Sequence, residues 1–245
     1  MSGFADFVPA RAVVLPWQNI QTRLAVLVAT LMFATVALAS PDKELKRART
    51  ATAVLKTILN TPDARIPDQL LHDAQAIAVL PEVVKAGLVF GGRHGRGLVS
   101  VRAPDGTWSN PSFIRLTGGS VGWQVGVQAA DVVLVFRTEQ GVTNLVNGKF
   151  TLGADASVAA GPVGRQAQAS TDEELKAEIF SYSRARGLFA GVAIDGSVLS
   201  IDHGANRDVY GPAITPRMLF ENRLNTPAPA DIVGFRDQLE EQTSN

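Results

Sequence analysis

The sequence predicts an α+β fold: an antiparallel β-barrel or sandwich with helices from the N-terminal and C-terminal ends packed on it. Three observations predict it. A helical period of three to four opens the stretch after Asp42, the period drops to two from Ile77 to Phe136, and Gly, Pro and Asp-Gly separate short β-branched runs. Composition agrees with a globular chain. The 245 residues are 46% hydrophobic and 19% charged with 22 Gly and 13 Pro, which excludes a collagenous, coiled-coil or mainly disordered protein.

Residues 1–39 read as an export signal. Leu24 to Ala39 is an uncharged apolar run preceded by Arg11 and Arg23 and closed by Ala37-Leu38-Ala39, the small-x-small pattern that a signal peptidase cuts. A bilayer core wants about 20 apolar residues. The shorter run favours a cleaved signal over an uncleaved anchor, with a mature chain starting at Ser40 in the periplasm or secreted. Residues 40–245 are then expected to form a single domain.

Within it, Asp42–Leu59 predicts an amphipathic helix with Leu45, Ala48, Thr52, Leu55 and Leu59 on one face and Lys43, Lys46 and Arg47 opposite. A short helix is expected over Pro67–Ala76, with Pro at its start. Short strands follow at Ile77–Leu80, Leu88–Phe90, Leu98–Arg102, Ser112–Leu116, Val121–Val127 and Val132–Phe136, and Val142–Asn147 reads as a helical turn. In Val121–Val127, bulky residues alternate with Gly and Gln, so one face is expected to be buried and the other nearly bare. Strands resume at Ala154–Val158, Ile179–Ser183, Leu188–Ile194 and Ser197–Ile201, the last two joined through an expected hairpin corner at Asp195-Gly196. Helical pieces at Pro216–Arg223 and Ala230–Glu241 complete the chain.

The charge is balanced, with 23 basic and 23 acidic residues, so no bulk field attracts nucleic acid. The aromatic residues do not interleave with basic ones along any strand, which disfavours base stacking. Zero Cys removes thiolate nucleophiles and zinc-thiolate sites. The three His, at 72, 94 and 203, share no ligand spacing, so neither metal nor cofactor is expected. Gly118-Gly119-Ser120-Val121-Gly122 has the G-x-S-x-G form, with Asp131 and His203 downstream in hydrolase order. A nucleophile elbow needs a helix after the serine, and here a strand pattern follows. A Gly-rich turn is the favoured reading, and a serine hydrolase using Ser120 is a remote alternative.

Two basic features remain. Between Lys85 and Arg102 no residue is acidic, and the tip Gly91–Gly97 holds Arg93, His94, Arg96 and four Gly. Converging backbone N–H groups and guanidinium forks at such a hairpin tip suit an anionic headgroup, while a solvated hairpin is an equal alternative. On the first helix, Lys43, Lys46, Arg47, Arg49 and Lys56 suit an anionic bilayer if the apolar stripe is free to insert, and are a wet face if that stripe packs inward.

Six ordered stretches carry a family resemblance: AIAVLPEVVKAGLVFGGRHGRGLVSVR at 76–102, the Trp108, Pro111 and Phe113 spacing, LTGGSVGWQVGVQ at 116–128, FTLGADASVAAGPVGR at 150–165, SYSRARGLFAGVAIDGS at 181–197, and Tyr210-Gly211. From Ala76 to Gly211 the chain resembles the SYLF domain family. The resemblance implies binding of phosphoinositides or other anionic lipids, as in eukaryotic members, with the N-terminal amphipathic helix a membrane contact, and actin binding as in yeast relatives. For an exported chain actin is not an expected partner. The expectation is a non-catalytic protein that binds anionic phospholipid headgroups, with Lys43, Lys46 and Arg47 attracting, Leu45, Leu55 and Leu59 inserting shallowly, and Lys85, Arg93, His94, Arg96 and Arg102 contacting phosphate. The alternative is an envelope structural module with a protein partner at a sheet edge.

Overall fold

The computed structural model describes residues 41–60, 66–87, 90–121, 126–162, 176–185, 188–192 and 194–243. The Leu24–Ala39 run, Leu88 and Val89, most of the 121–127 alternation with Trp123, and residues 163–165 of the fourth matching stretch lie outside them.

Helix α1 (Pro41–Leu59) and the short α2 (Asp68–His72) lead into β1 (Ala76–Gly87) and β2 (Phe90–Val101), followed by β3 (Ser112–Val121) and β4 (Gly126–Phe136). Next come α3 (Glu139–Val146), β5 (Lys149–Thr151), β6 (Val158–Ala160), β7 (Ile179–Ala185), β8 (Leu188–Gly191) and β9 (Ser197–Ile201). Helices α4 (His203–Tyr210), α5 (Pro216–Phe220) and α6 (Ala230–Thr243) close the chain. The fold is α+β, a sheet curled into a half-barrel with helices from both chain ends on it.

The strands form one nine-stranded sheet in the order β5-β9-β3-β2-β1-β4-β7-β6, with β8 also on β7. Only β6 with β7 is parallel among the described pairs. The central strand β1 alternates between two cores. Ile77 and Val79 face a layer built from α1, α2, α4 and α6, whereas Ala76, Ala78 and Leu80 face α3, α5 and the 152–156 loop. A sheet covered on both faces reads as a near-continuous apolar run, which is what residues 76–80 and 132–136 show.

β1 and β2 are each 12 residues long where the sequence suggested shorter pieces. Pro81 and the glycines of β2 look like breakers, yet a β-bulge absorbs the proline. Register shifts between Val79 and Val84 against β2, and between Leu80 and Val83 against β4, so Pro81 is not asked for a ladder N–H. Glu82 takes a left-handed φ of 50° there, and its N–H donates to Asp131 Oδ1 at 3.1 Å. The bulge folds over β2 because Gly97 has no side chain: a Cβ there would meet the Val79 carbonyl oxygen at 2.0 Å.

Three local expectations are corrected. Asp195-Gly196 is a turn, with Gly196 at φ 72°, but it joins strands that do not pair with each other: β8 lies on β7, and β9 lies on β3 and β5. Residues 154–157 hold a turn and an isolated bridge at Ala156, and the strand begins only at Val158. Residues 203–210 form a helix beyond those the sequence periodicity predicts. Asp202 caps it by accepting from Ala205 N–H at 3.1 Å.

Candidate functional site

Helix α1 lies on the sheet through Ala48, Ala51, Val54, Leu55, Ile58 and Leu59, all buried. Leu55 is fully buried, Leu59 is 6% exposed, and Leu45 packs half-buried against the same core. The expected membrane insertion of Leu45, Leu55 and Leu59 is therefore corrected. Their apolar area is already withdrawn from water against β1, β2 and α6, and nothing greasy is left to insert while the helix is docked.

The basic side of α1 overhangs the bulge of β1. Lys43, Lys46, Arg47 and Thr50 from the helix, Pro81, Glu82 and Val84 from β1, and His94, Gly95 and Arg96 from β2 enclose a cleft of about 300 Å³. That is the small end of the roughly 300–1,000 Å³ range of ligand pockets, a size for a headgroup rather than a whole lipid. Strand parity puts His94 and Arg96 here. They share the face of Leu98, which belongs to the α1-side core.

Ion pairing decides which cations are available. Arg47 is paired with Glu44 one turn earlier, and Arg115, the cross-strand neighbour of Arg96, donates to Asp202 Oδ1 at 2.6 Å. Burial pushes the Arg47 guanidinium below its ordinary pKa, Glu44 opposes that, and the Arg96 charge adds to the lowering. Arg47 remains a cation at any physiological pH. Burial raises the Asp202 carboxyl, but the Arg115 hydrogen bond, the Ala205 N–H and the charges of Arg115 and Arg96 outweigh it and hold the group below the usual carboxylate value. Among the described residues Lys43, Lys46 and Arg96 have no ion pair, and Lys43 and Lys46 are exposed. The cleft thus has a positive wall on which Lys43, Lys46 and Arg96 form no ion pair among the described residues.

The remaining basic candidates lie elsewhere. Lys85 and Arg93 are cross-strand partners on the opposite face of the sheet, where Arg93 donates from Nη1 to Ser197 Oγ at 3.0 Å. Arg102 donates to the His72 carbonyl at 2.5 Å and stacks over Trp108, 4.9 Å from the ring centroid. Burial lowers both guanidinium pKa values. Arg102 also borders a cavity of about 600 Å³ at the far end of β2, alongside Glu139, Glu221 and Phe220. The assignment of Lys85, Arg93 and Arg102 to one phosphate site with Arg96 is corrected: alternation separates the first two, and five intervening strand residues separate the last.

The expected Gly-rich tip is also corrected. Gly91, Gly92, Gly95 and Gly97 are strand residues, laddered to β1 or β3, so their N–H groups do not converge on a ligand. Thr50, Pro81, Glu82 and Val84 are cleft residues the sequence reading missed. A Pro-Glu pair interrupting an apolar strand run was the available signal.

The hydrolase alternative has no assembled site. Ser120 is in strand β3, Asp131 is held by Arg184 Nη2 at 2.9 Å and Nε at 3.2 Å, and Asp202, beside His203, bonds to Phe113, seven residues from Ser120 along β3. At about 3.3 Å per residue that is roughly 20 Å, too far for a triad.

An α+β half-barrel with an open cationic cleft under its first helix is a binding-type domain. The chain belongs to the Ysc84 (SYLF) family, described as Las17-binding protein actin regulator, which matches residues 117–241. It is 40% identical over 172 residues to Protein YSC84 of Saccharomyces cerevisiae, covering 69% of this chain and 36% of the yeast protein. LAS seventeen-binding protein 3 of the same yeast is 38% identical over 172 residues, covering 69% and 37%. The human SH3 domain-containing YSC84-like protein 1 is 33% identical over 212 residues, covering 84% and 62%. The chain thus spans about a third of the yeast relatives' length and under two thirds of the human one's.

Proposed function

We propose that this domain binds anionic phospholipid headgroups, without catalysis, at the cleft beneath α1. The observation that carries the reading is the convergence of Lys43, Lys46 and Arg96, none of them ion-paired among the described residues, on one headgroup-sized cleft with Arg47 and His94. Each unpaired cation near an anionic surface contributes about 1 kcal/mol. Co-sedimentation with phosphatidylglycerol vesicles against phosphatidylcholine vesicles tests it. Pelleting with the anionic vesicles should fall several-fold in the K46A/R96A double variant and stay unchanged in R93A, which alters the opposite face. Equal pelleting with both lipids, or equal loss in both variants, would overturn the reading.

Residues 1–39 fit into this proposal as an export signal, supported by the Leu24–Ala39 run and its small-x-small end. Mass analysis of the protein recovered from its native host should find Ser40 as the first residue, and an intact leader would show an anchor instead. A protein partner is the second reading, favoured by the family description of Las17 binding. Cross-linking that recovers one stoichiometric protein and no lipid would decide for it.

A further inference from the structure

We infer that the cleft is built for a phosphate that carries a primary ammonium group, the chemistry of phosphoethanolamine, rather than for phosphate alone. The inference rests on the cleft being the binding site. Its ground is the acid on the cleft wall. Glu82 lines the same cavity as Lys43, Lys46, Arg47 and Arg96, yet it forms no ion pair with any of them, so its carboxylate lies beyond 4 Å from each. Opposite charges that share about 300 Å³ without meeting leave a cationic wall on α1 and β2 and an unpaired carboxylate on β1.

Glu82 is held there by backbone. Its left-handed φ of 50° comes from the bulge, its N–H is tied to Asp131, and Asp131 is clamped by both Arg184 donors. A non-glycine residue kept in that conformation is strained and persists where its surroundings over-determine it. An anion site gains nothing from a carboxylate whose main chain is pinned in its wall, because like charges repel. A headgroup whose phosphate faces Lys46 and Arg96 and whose ammonium donates to Glu82 uses both walls. Phosphocholine offers the same phosphate and net charge with no N–H to donate.

The test uses the full chain and soluble probes: O-phosphoethanolamine, phosphocholine and inorganic phosphate, by calorimetric titration. Phosphoethanolamine should bind about tenfold tighter than phosphocholine, the lower end of what one hydrogen bond to a charged group is worth. That preference should vanish in Glu82→Gln, which keeps the side-chain shape at an exposed position. Vesicles distinguish the source. With phosphatidylglycerol held constant, replacing phosphatidylcholine by phosphatidylethanolamine should raise recruitment if the ligand is a lipid headgroup. Soluble binding without added recruitment supports the same chemistry in a free ligand. Equal wild-type affinity for phosphoethanolamine and phosphocholine overturns the inference while the cleft stands. No binding of any phosphate, together with no preference for anionic vesicles, overturns both.

Discussion

Asp202 is 3% exposed and holds two things at once: the side chain of Arg115 on β3 and the first turn of α4. Its folded pKa lies below the ordinary carboxylate value because these donors outweigh burial. The stabilisation is therefore complete above the unfolded pKa near 4 and is lost as pH falls through the lower folded value. D202N should lose about 1–3 kcal/mol in urea unfolding at pH 7, with the gap to wild type closing in strong acid. A gap that persists in acid would show that shape rather than charge matters at this position. Residue identity in the sequence pointed to Arg96 and Arg93 alike. Their separation onto opposite faces follows from strand parity, which became visible only when β2 was seen to run unbroken from Phe90 to Val101.

At the scale of elements, the bulge of β1 positions the cleft, and Gly97 permits the bulge. Its missing side chain leaves room for the Val79 carbonyl, a backbone atom that cannot step aside without moving the strand. G97A should shift the denaturation midpoint by at least the 1–3 kcal/mol usual for overpacking. G92A, where nothing lies within 4 Å of the added carbon, should be tolerated. Comparable losses in both would argue against the close approach as the cause. The boundaries of β9 and the start of α6 were legible because each has its own period and punctuation. The long strands were not, since Pro81 and the β2 glycines signal a break locally and act as a bulge and a crossing in the sheet.

At the scale of the whole molecule, α1 is held at both ends of the chain's order. It packs on β1 and β2, and Arg49 pairs with Asp231 of α6 at 2.5 Å. Helix α6 is in turn latched to the β2–β3 connection by Trp108 Nε1 donating to Thr243 Oγ1 at 2.7 Å. Such docking leaves Lys43, Lys46, Arg49 and Lys56 of α1 exposed. The sequence by itself determined the α+β class, the amphipathic first helix, the family and the types of charge available, because periodicity and residue chemistry are local properties. Only the tertiary structure decided which charges share a cleft: alternation put Arg93 behind the sheet, ion pairs engaged Arg47 and Arg115, and the bulge set Glu82 in the lining with Lys43, Lys46 and Arg96. Those are relations between residues far apart in the chain, set by strand register and helix docking, and no local pattern encodes them.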